Sequence, residues 1–517
     1  MSDKSKKNSL IIGIIFLLLV FSGFFSPWLP AKTTLENSVG KILREKVICR
    51  KLDNGITLLM SQRGFTPTLA LEVSFKVGSV DETYQTIGAA HMLEHMLFKG
   101  TEKLGTKDFS KEKLILDKIQ EIGEKIDRLK LKKDFAEEVV KMQQQLGQLQ
   151  EEAAKLVISA PYDKIYTEHG AVGFNASTSR DKTGYYVQLP SSCLELWAEI
   201  ESARLKKPVF REYYLERQNV IQERLMRYDS KGFGGLYERF LAQAFMAHPY
   251  RHPTIGWGSN IPYLSLAKIK SFYQKNYIPS RMVITIVGQH DPEKTYQIVK
   301  KYFAGLEAKP DPAGIAIKEP FFKGERRFVY KFEANSDLMI GWLKPTAPSR
   351  EDYVFDLVSE ILSGGRSSRF FKSLVTRKKA ASSVNCWNGS PGARYDNLFV
   401  IHATPVANYS LKKLEEDIYQ EINQFLKELN QEEIKKVING LETSLISNLE
   451  TNKKVSSLLS YYQTVFQDWE YLVTYLDVLK TITVPEIKKT VKKYFIQDNR
   501  VVGQLVDIRR NLKGEMK

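Results

Sequence analysis

The sequence predicts an α+β protein of two homologous domains, each an antiparallel sheet covered by helices, with a helical, coiled-coil-type hairpin inserted in the first. Three observations carry this expectation. Strand-like alternation gives way to helical periodicity in the same order in both halves of the 517 residues. A Pro-rich, pattern-poor stretch, EAKPDPAGIAIKEPFFKGE, separates the halves. A Lys-, Glu- and Gln-rich segment with heptad spacing interrupts only the first. A chain of this length exceeds one hydrophobic core. Its 43% hydrophobic and 26% charged residues belong to a globular protein, and exclude a disordered chain or a polytopic membrane protein.

Taken from the N-terminus, residues 1–31 place Lys4, Lys6 and Lys7 before the apolar run SLIIGIIFLLLVFSGFF, the pattern of a signal peptide or N-terminal membrane anchor. Pro27 and Pro30 interrupt the stretch that follows, so cleavage and retention both stay open. The basic flank puts the rest of the chain outside the cytoplasm, periplasmic or anchored in the membrane. The first domain is expected over 45–307. It opens with RKLDNGITLLM, two strands around an Asn54-Gly55 turn, and becomes helical from Thr86. Between 110 and 158, apolar residues recur at Ile115, Ile119, Ile122, Ile126 and Leu129, then at Phe135, Val139, Met142, Leu146, Leu149, Ala153 and Leu156. The break at LKLKKDF predicts two antiparallel arms projecting from the domain.

After the hairpin, FNASTSRDKTGYYVQLP alternates as strand, while CLELWAEIESARLKKPVF and REYYLERQNVIQERLMRYD read as amphipathic helices. A strand and helix in RMVITIVGQHDPEKTYQIVKKYFAGL close the domain. The linker spans 308–327. The second domain, 328–510, opens with strands in RRFVYKFEANSDLMIGWLKP, passes into the helical DYVFDLVSEILSGGRSSRFFKSL and ends in a strand at RVVGQLV.

Charge and cysteine content narrow the function. The net charge of +16 comes from lysines scattered over the chain, without a nucleic-acid motif or an aromatic-interleaved basic stripe. Nucleic acid is therefore not an expected partner, and a Lys-rich solvated surface, suited to lying near an anionic membrane, accounts for the charge. Cys49, Cys193 and Cys386 are odd in number and far apart, which argues against a disulfide framework and a Cys-based zinc module. A metal would need His and carboxylate ligands.

Such ligands occur in GAAHMLEHMLFKGTE, from Gly88 to Glu102. On a helix, His91 and His95 lie one turn apart on one face, so both imidazoles can reach one zinc ion. Glu94 lies to the side, where a general base belongs. The same spacing also arises in a helix with two satisfied histidines and a surface glutamate. A zinc hydrolase needs a third ligand and an open fourth position. In LERQNVIQERLMR, Glu216 and Glu223 are two turns apart on one face, so one can ligate while the other orients a ligand. A solvated acidic stripe has that spacing too. The corresponding stretch of the second half, VSEILSGGRSS, contains no histidine, so only the first half could bind metal.

The segments GAAHMLEHMLFKGT, FNASTSRDKTGYYVQLP, LELWAEIESARLKKPVF, ERQNVIQE and AFMAHPYRHPTIGW, in this order, resemble the inverted-zinc-motif (HxxEH) metallopeptidases that include pitrilysin, insulin-degrading enzyme and the mitochondrial processing peptidase. The resemblance runs from about Glu45 to Asp507 and implies a zinc endopeptidase cutting peptides or unfolded segments. It implies one Zn2+ per chain held by His91, His95 and Glu223, with Glu94 as general base and Glu216 supporting the site. Asn175 and Ala176 would lie on an exposed edge strand that pairs with an extended peptide substrate.

In family members whose second half completes the site, an Arg and a Tyr in a pattern resembling SSRLFQELREERGLAYSV touch the substrate. Here SSRFFKSLVTRKKAASSV puts Val375 and Ser382 in those places, and neither offers a charged or phenolic donor. The expectation is therefore the zinc-bearing subunit of a heterodimer whose homologous partner supplies the Arg/Tyr pair. A homodimer using Arg366 or Arg377 is the alternative. A non-catalytic scaffold or chaperone-like member is the alternative of a different class, disfavoured because all four motif residues are present. His169, His248, His252, His290 and His402 lack ligand spacing and read as structural.

Overall fold

The computed structural model describes residues 38–509 apart from 133 and 313, so the expected export segment at 1–31 lies outside the described residues. Among those described, no helix is long and apolar enough to cross a membrane. The chain turns at Gly55, whose φ of +101° suits a residue without a side chain, and pairs β1 (Val47–Lys51) with β2 (Thr57–Gln62) antiparallel. With β3 (Thr68–Phe75), β4 (Val172–Thr178), β5 (Thr183–Pro190) and β6 (Met282–Gly288) they form a sheet in the order β1-β2-β6-β3-β5-β4. No helix or strand is described between Phe303 and Arg326. The second sheet then uses β7 (Arg326–Phe332), β8 (Asp337–Lys344), β9 (Ala381–Ser390), β10 (Asn397–Pro405) and β11 (Arg500–Asp507) in the order β7-β11-β8-β10-β9.

The two orders superpose when β1 is set aside. Neither sheet is wholly antiparallel: β2 pairs in parallel with β6, and β7 with β11. In each half the last strand returns to fill the gap beside the first. All residues of β6 and β8 are buried, which is why MVITIVG and DLMIGWLK read as continuous rather than alternating apolar runs.

Five helices matter for the site: α1 (Ala89–Met96), α2 (Phe109–Leu129), α3 (Ala136–Ala154), α4 (Tyr213–Arg224) and α5 (Gly232–Ala244). Two more belong to the second half, α6 (Arg350–Ser363) after β8 and α7 (Asn452–Val465). The halves exchange cover. From the first, α5 buries Leu236, Phe240 and Leu241 against Met339, Val400 and Val501 of the second sheet. From the second, α7 lies on β3 and β6, where Ser74 Oγ is 2.8 Å from Ser460 Oγ and 2.9 Å from Thr464 Oγ1. Gly341 lets this packing close, since a Cβ there would lie 2.7 Å from Phe240 Cζ.

The heptad positions of α2 and α3 face inward as expected, with Ile115, Ile119, Ile126, Met142, Leu146 and Ala153 buried. The hairpin does not project freely. Its first arm is tied to the α4 region by two buried ion pairs: Arg211 reaches Glu112 at 2.7 and 3.0 Å, and Arg217 reaches Asp127 at 2.9 Å twice. Glu112 and Asp127 interrupt the apolar stripe, so the sequence pattern could not distinguish a free arm from a docked one. Both charges are buried only because each has a guanidinium partner. Gly123 faces Tyr214, and a Cβ there would stand 2.0 Å from the ring.

Gly123→Ala tests this docking. Within a helix the change normally stabilises by about 0.5–1 kcal/mol. Here overpacking against Tyr214 costs about 1–3 kcal/mol, so the denaturation midpoint should fall. A rise would show that the hairpin does not rest on Tyr214.

Candidate metal centre

The first turn of α1 is held by an acid. Gly88 takes φ +94° as N-cap, and the buried Glu82 carboxylate accepts hydrogen bonds from Gly88 N at 2.9 Å and Ala90 N at 2.8 Å. As an acceptor it satisfies two of the helix's otherwise unpaired N–H groups, while burial outweighs these bonds and raises the carboxyl to about 8. Ala89, Met92, Leu93 and Met96 bury the opposite face, which leaves the imidazoles of His91 and His95 side by side, their centroids 4.7 Å apart.

Against them stands α4. Glu223 Oε2 is 3.7 Å from His91 Nε2 and 3.6 Å from His95 Nε2. Among the described residues these three form the one group of metal-ligating side chains that converge, their donor atoms within 4.8 Å of one another. Zinc bonds of about 2.0–2.1 Å in a tetrahedron separate donors by roughly 3.3–3.5 Å, so Glu223 Oε2, at 3.7 and 3.6 Å from the two Nε2 atoms, fits after a slight closing. Two imidazoles and one carboxylate also suit zinc's ligand preference and leave a fourth position open.

Glu216 does not join the trio. Its Oε1 lies 2.9 Å from His95 Nδ1, and its Oε2 accepts a 2.7 Å bond from Lys99 Nζ, which also reaches Glu212 at 3.0 Å. This turns His95 Nε2 toward Glu223. Burial raises the pKa of Glu216, but the bonds from His95 and Lys99 outweigh it and bring the carboxyl down to about 2. Burial, then the charges of His95 and Arg227, lower His91 to about 3 and keep its imidazole neutral, as a ligand requires. Burial raises Glu94 against opposition from a Thr178 hydrogen bond and His95, the direction that suits a proton acceptor.

His91, Glu94, His95 and Glu223 line a cavity of about 730 Å³ together with Asn175 and Ala176. The last two lie on β4, the end strand of the first sheet, which pairs only with β5. Asn175 Oδ1 accepts from Ala176 N at 2.8 Å. Every lining residue falls between His91 and Ile255, so the wall belongs to the first half. Val375, Ser382, Arg366 and Arg377 do not line it; Ser382 Oγ donates to Thr404 O at 3.1 Å and Arg377 to Ser373 Oγ at 3.0 Å.

Sequence reasoning missed Lys99, Arg227, Thr178 and Glu82. Arg227 holds Glu223 Oε1 at 3.0 Å, leaving Oε2 toward the imidazoles. Lys99 and Arg227 each lie four residues after a site residue, a helical spacing that could have flagged them. Thr178 and Glu82 reach the site only through the fold. The other histidines take part in local structure: His169 Nδ1 lies 2.8 Å from Ile165 O, His290 Nδ1 3.1 Å from Gly288 O and His402 Nε2 3.1 Å from Asp337.

Along most of its length the chain is similar to known zinc proteases. Residues 58–126, which contain α1, match the family model for insulinase (peptidase family M16), and residues 263–441 match the peptidase M16 inactive domain. The zinc protease PqqE of Helicobacter pylori is 28% identical over 458 residues, 86% of this chain and 89% of that protein. An uncharacterised zinc protease of Rickettsia felis is 22% identical, over 89% of this chain and 98% of its own length. Among solved structures, a protease from Helicobacter pylori superposes with a TM-score of 0.75 at 25% identity, over 89% of this chain and 99% of that one. The periplasmic protease PqqL from Escherichia coli gives 0.67 at 16% identity over 91% of this chain, which spans 48% of that longer one; at that identity the likeness is one of fold. With the inverted histidine motif and the paired sheets, these matches give the chain a first half similar to the insulinase (peptidase M16) domain and a second half similar to the peptidase M16 inactive domain.

Proposed function

We propose that the chain is a zinc endopeptidase in which His91, His95 and Glu223 hold one Zn2+ and Glu94 moves the proton. The observation that carries this reading is the convergence of two imidazoles and a carboxylate in a cavity that also contains Glu94 and an open strand edge. A zinc ion bound there supplies Lewis acidity, polarising water and the scissile carbonyl. Glu94 accepts the proton of the attacking water and delivers it to the departing amide nitrogen. Glu216 keeps His95 in the ligating orientation, and Arg227 keeps one oxygen of Glu223 turned inward.

An extended peptide pairs with the free edge of β4 around Asn175 and Ala176. Main-chain pairing selects extended or unfolded segments with little regard to side chains. No donor from the second half lines the cavity. A homologous subunit carrying an Arg/Tyr pair therefore completes the site, and a homodimer is the alternative. The basic and apolar residues of 1–31 support export to the periplasm or a membrane tether, with domains at 45–307 and 328–510 around the linker 308–327.

Two outcomes are expected. The purified chain binds about one zinc ion, and Glu94→Gln retains it while cutting the hydrolysis of a quenched fluorescent peptide by the chain mixed with an Arg/Tyr-bearing relative by about 10²–10⁴-fold; undiminished hydrolysis, or protein that never takes up zinc, would reject the reading in favour of a non-catalytic scaffold. Glu216→Gln weakens zinc binding by about 10–100-fold in competition with a chromophoric chelator. Chelator-sensitive hydrolysis only after mixing with an Arg/Tyr-bearing relative supports the heterodimer, and full activity of the chain alone the homodimer.

A further inference from the structure

The second half reaches the back of the candidate metal centre through the loop between β9 and β10. There Arg394 reaches into the first half and grips Asp81, Nη1 donating to Oδ2 at 2.8 Å and Nη2 to Oδ1 at 3.2 Å. Both side chains are 6% exposed. Asp81 also accepts from Gly78 N at 3.0 Å, which closes the short turn before Glu82. The next residue, Glu82, is the acid that holds the first amides of α1. The same loop takes hold of a second acid. Asp181 Oδ2 accepts from Ala393 N at 2.6 Å and Arg394 N at 3.3 Å, and Asp181 Oδ1 from Tyr250 OH at 2.7 Å. Asp181 follows Thr178, the last residue of β4, by three positions.

These two acids stand at the roots of the two arms that make the site. One root leads through Glu82 to the helix of His91, Glu94 and His95. The other leads into the strand edge at Asn175 and Ala176, whose end residue Thr178 lines the same cavity as Glu94. The roots also pair directly, Ser79 N with Ser179 O at 3.2 Å and Val80 N with Arg180 O at 2.9 Å. Backbone fit at the junction is close. A Cβ on Gly392 would stand 2.5 Å from Asp181 Oδ2 and 2.7 Å from Tyr250 OH, and one on Gly78 would stand 2.3 Å from Arg180 O. A buried ion pair is by itself weak support for stability, because desolvation offsets most of the attraction. What it does supply is geometry, because a bidentate guanidinium fixes both distance and angle.

Resting on the peptidase reading above, we propose that the loop Pro391–Tyr395 is a positioning clamp: through Arg394 on Asp81 and the 393–394 amides on Asp181, the half without metal ligands sets the metal helix α1 against the peptide-binding edge β4. Arg394 is a positioning residue, acting through Asp81 and Glu82 on the orientation of His91 and His95. The second half thus contributes to the site without lining it.

The full chain tests this with Arg394→Met, Gly392→Ala and the milder Arg394→Lys. Hydrogen exchange at Gly88, Ala90 and β4 is measured beside zinc affinity by chelator competition. In Arg394→Met and Gly392→Ala we expect exchange at Gly88 and Ala90 to rise by roughly tenfold or more and zinc binding to weaken by roughly 10–100-fold, with exchange in α6 unchanged. Arg394→Lys should restore part of both, and Asp81→Asn combined with Arg394→Met should cost less than the two single changes added together, since they share one ion pair; Asp81 keeps Gly78 N at 3.0 Å and Arg281 at 3.4 Å. Folded variants whose exchange at α1 and zinc affinity stay within about twofold of the parent, or whose exchange rises equally through both halves, would overturn the clamp and leave an ordinary interface ion pair. Should Arg394→Met not fold, Gly392→Ala and Arg394→Lys decide. Should the parent chain bind no zinc, the peptidase reading falls while the exchange measurement still judges the clamp.

Discussion

Everything at the site depends on one crossing. Helices α1 and α4 must meet so that Glu223 Oε2 lies within 3.7 Å of two imidazole nitrogens, although the residues are more than 120 positions apart in the chain. Neither helix can hold that position alone: α1 has eight residues and α4 twelve, both short for isolated helices in water. The surrounding structure supplies the constraint. Glu82 fixes the start of α1, the docked hairpin braces α4 through Arg211 and Arg217, and Glu216 bridges the pair by holding His95 and Lys99 together.

That arrangement also gives each titratable group a distinct state. Burial keeps His91 neutral and raises Glu94, while hydrogen bonds from His95 and Lys99 keep Glu216 ionised despite its burial. A neutral ligand, a proton acceptor and an ionised orienting carboxylate are three different requirements on groups within one small volume. The local hydrogen bonds separate them.

The exchange of α5 and α7 makes the two halves one mechanical unit. Each half has a core of its own, and each sheet is also covered in part by a helix from the other half, through clusters that mix both. In the second half, α6 follows β8 as α1 follows β3, but it buries Tyr353, Phe355, Leu357 and Val358 where α1 exposes histidines to a cavity. Equivalent topology thus serves chemistry in one half and support in the other.

The sequence by itself determined the fold class, the heptad hairpin and the metal-ligand candidates, because these are local: helical spacing puts His91 beside His95 and Glu216 in line with Glu223, and alternation marks the strands. It could not order the sheets, dock the hairpin or find Glu82, Thr178 and Arg394, because those depend on partners tens to hundreds of positions away. The split pairing of each half, with β6 and β11 returning to lie parallel to β2 and β7, leaves no local mark. Spacing alone left open which glutamate faces the imidazoles, since residues 216 and 223 share a helix face; the tertiary structure puts His95 Nδ1 and Lys99 opposite one and the two Nε2 atoms opposite the other.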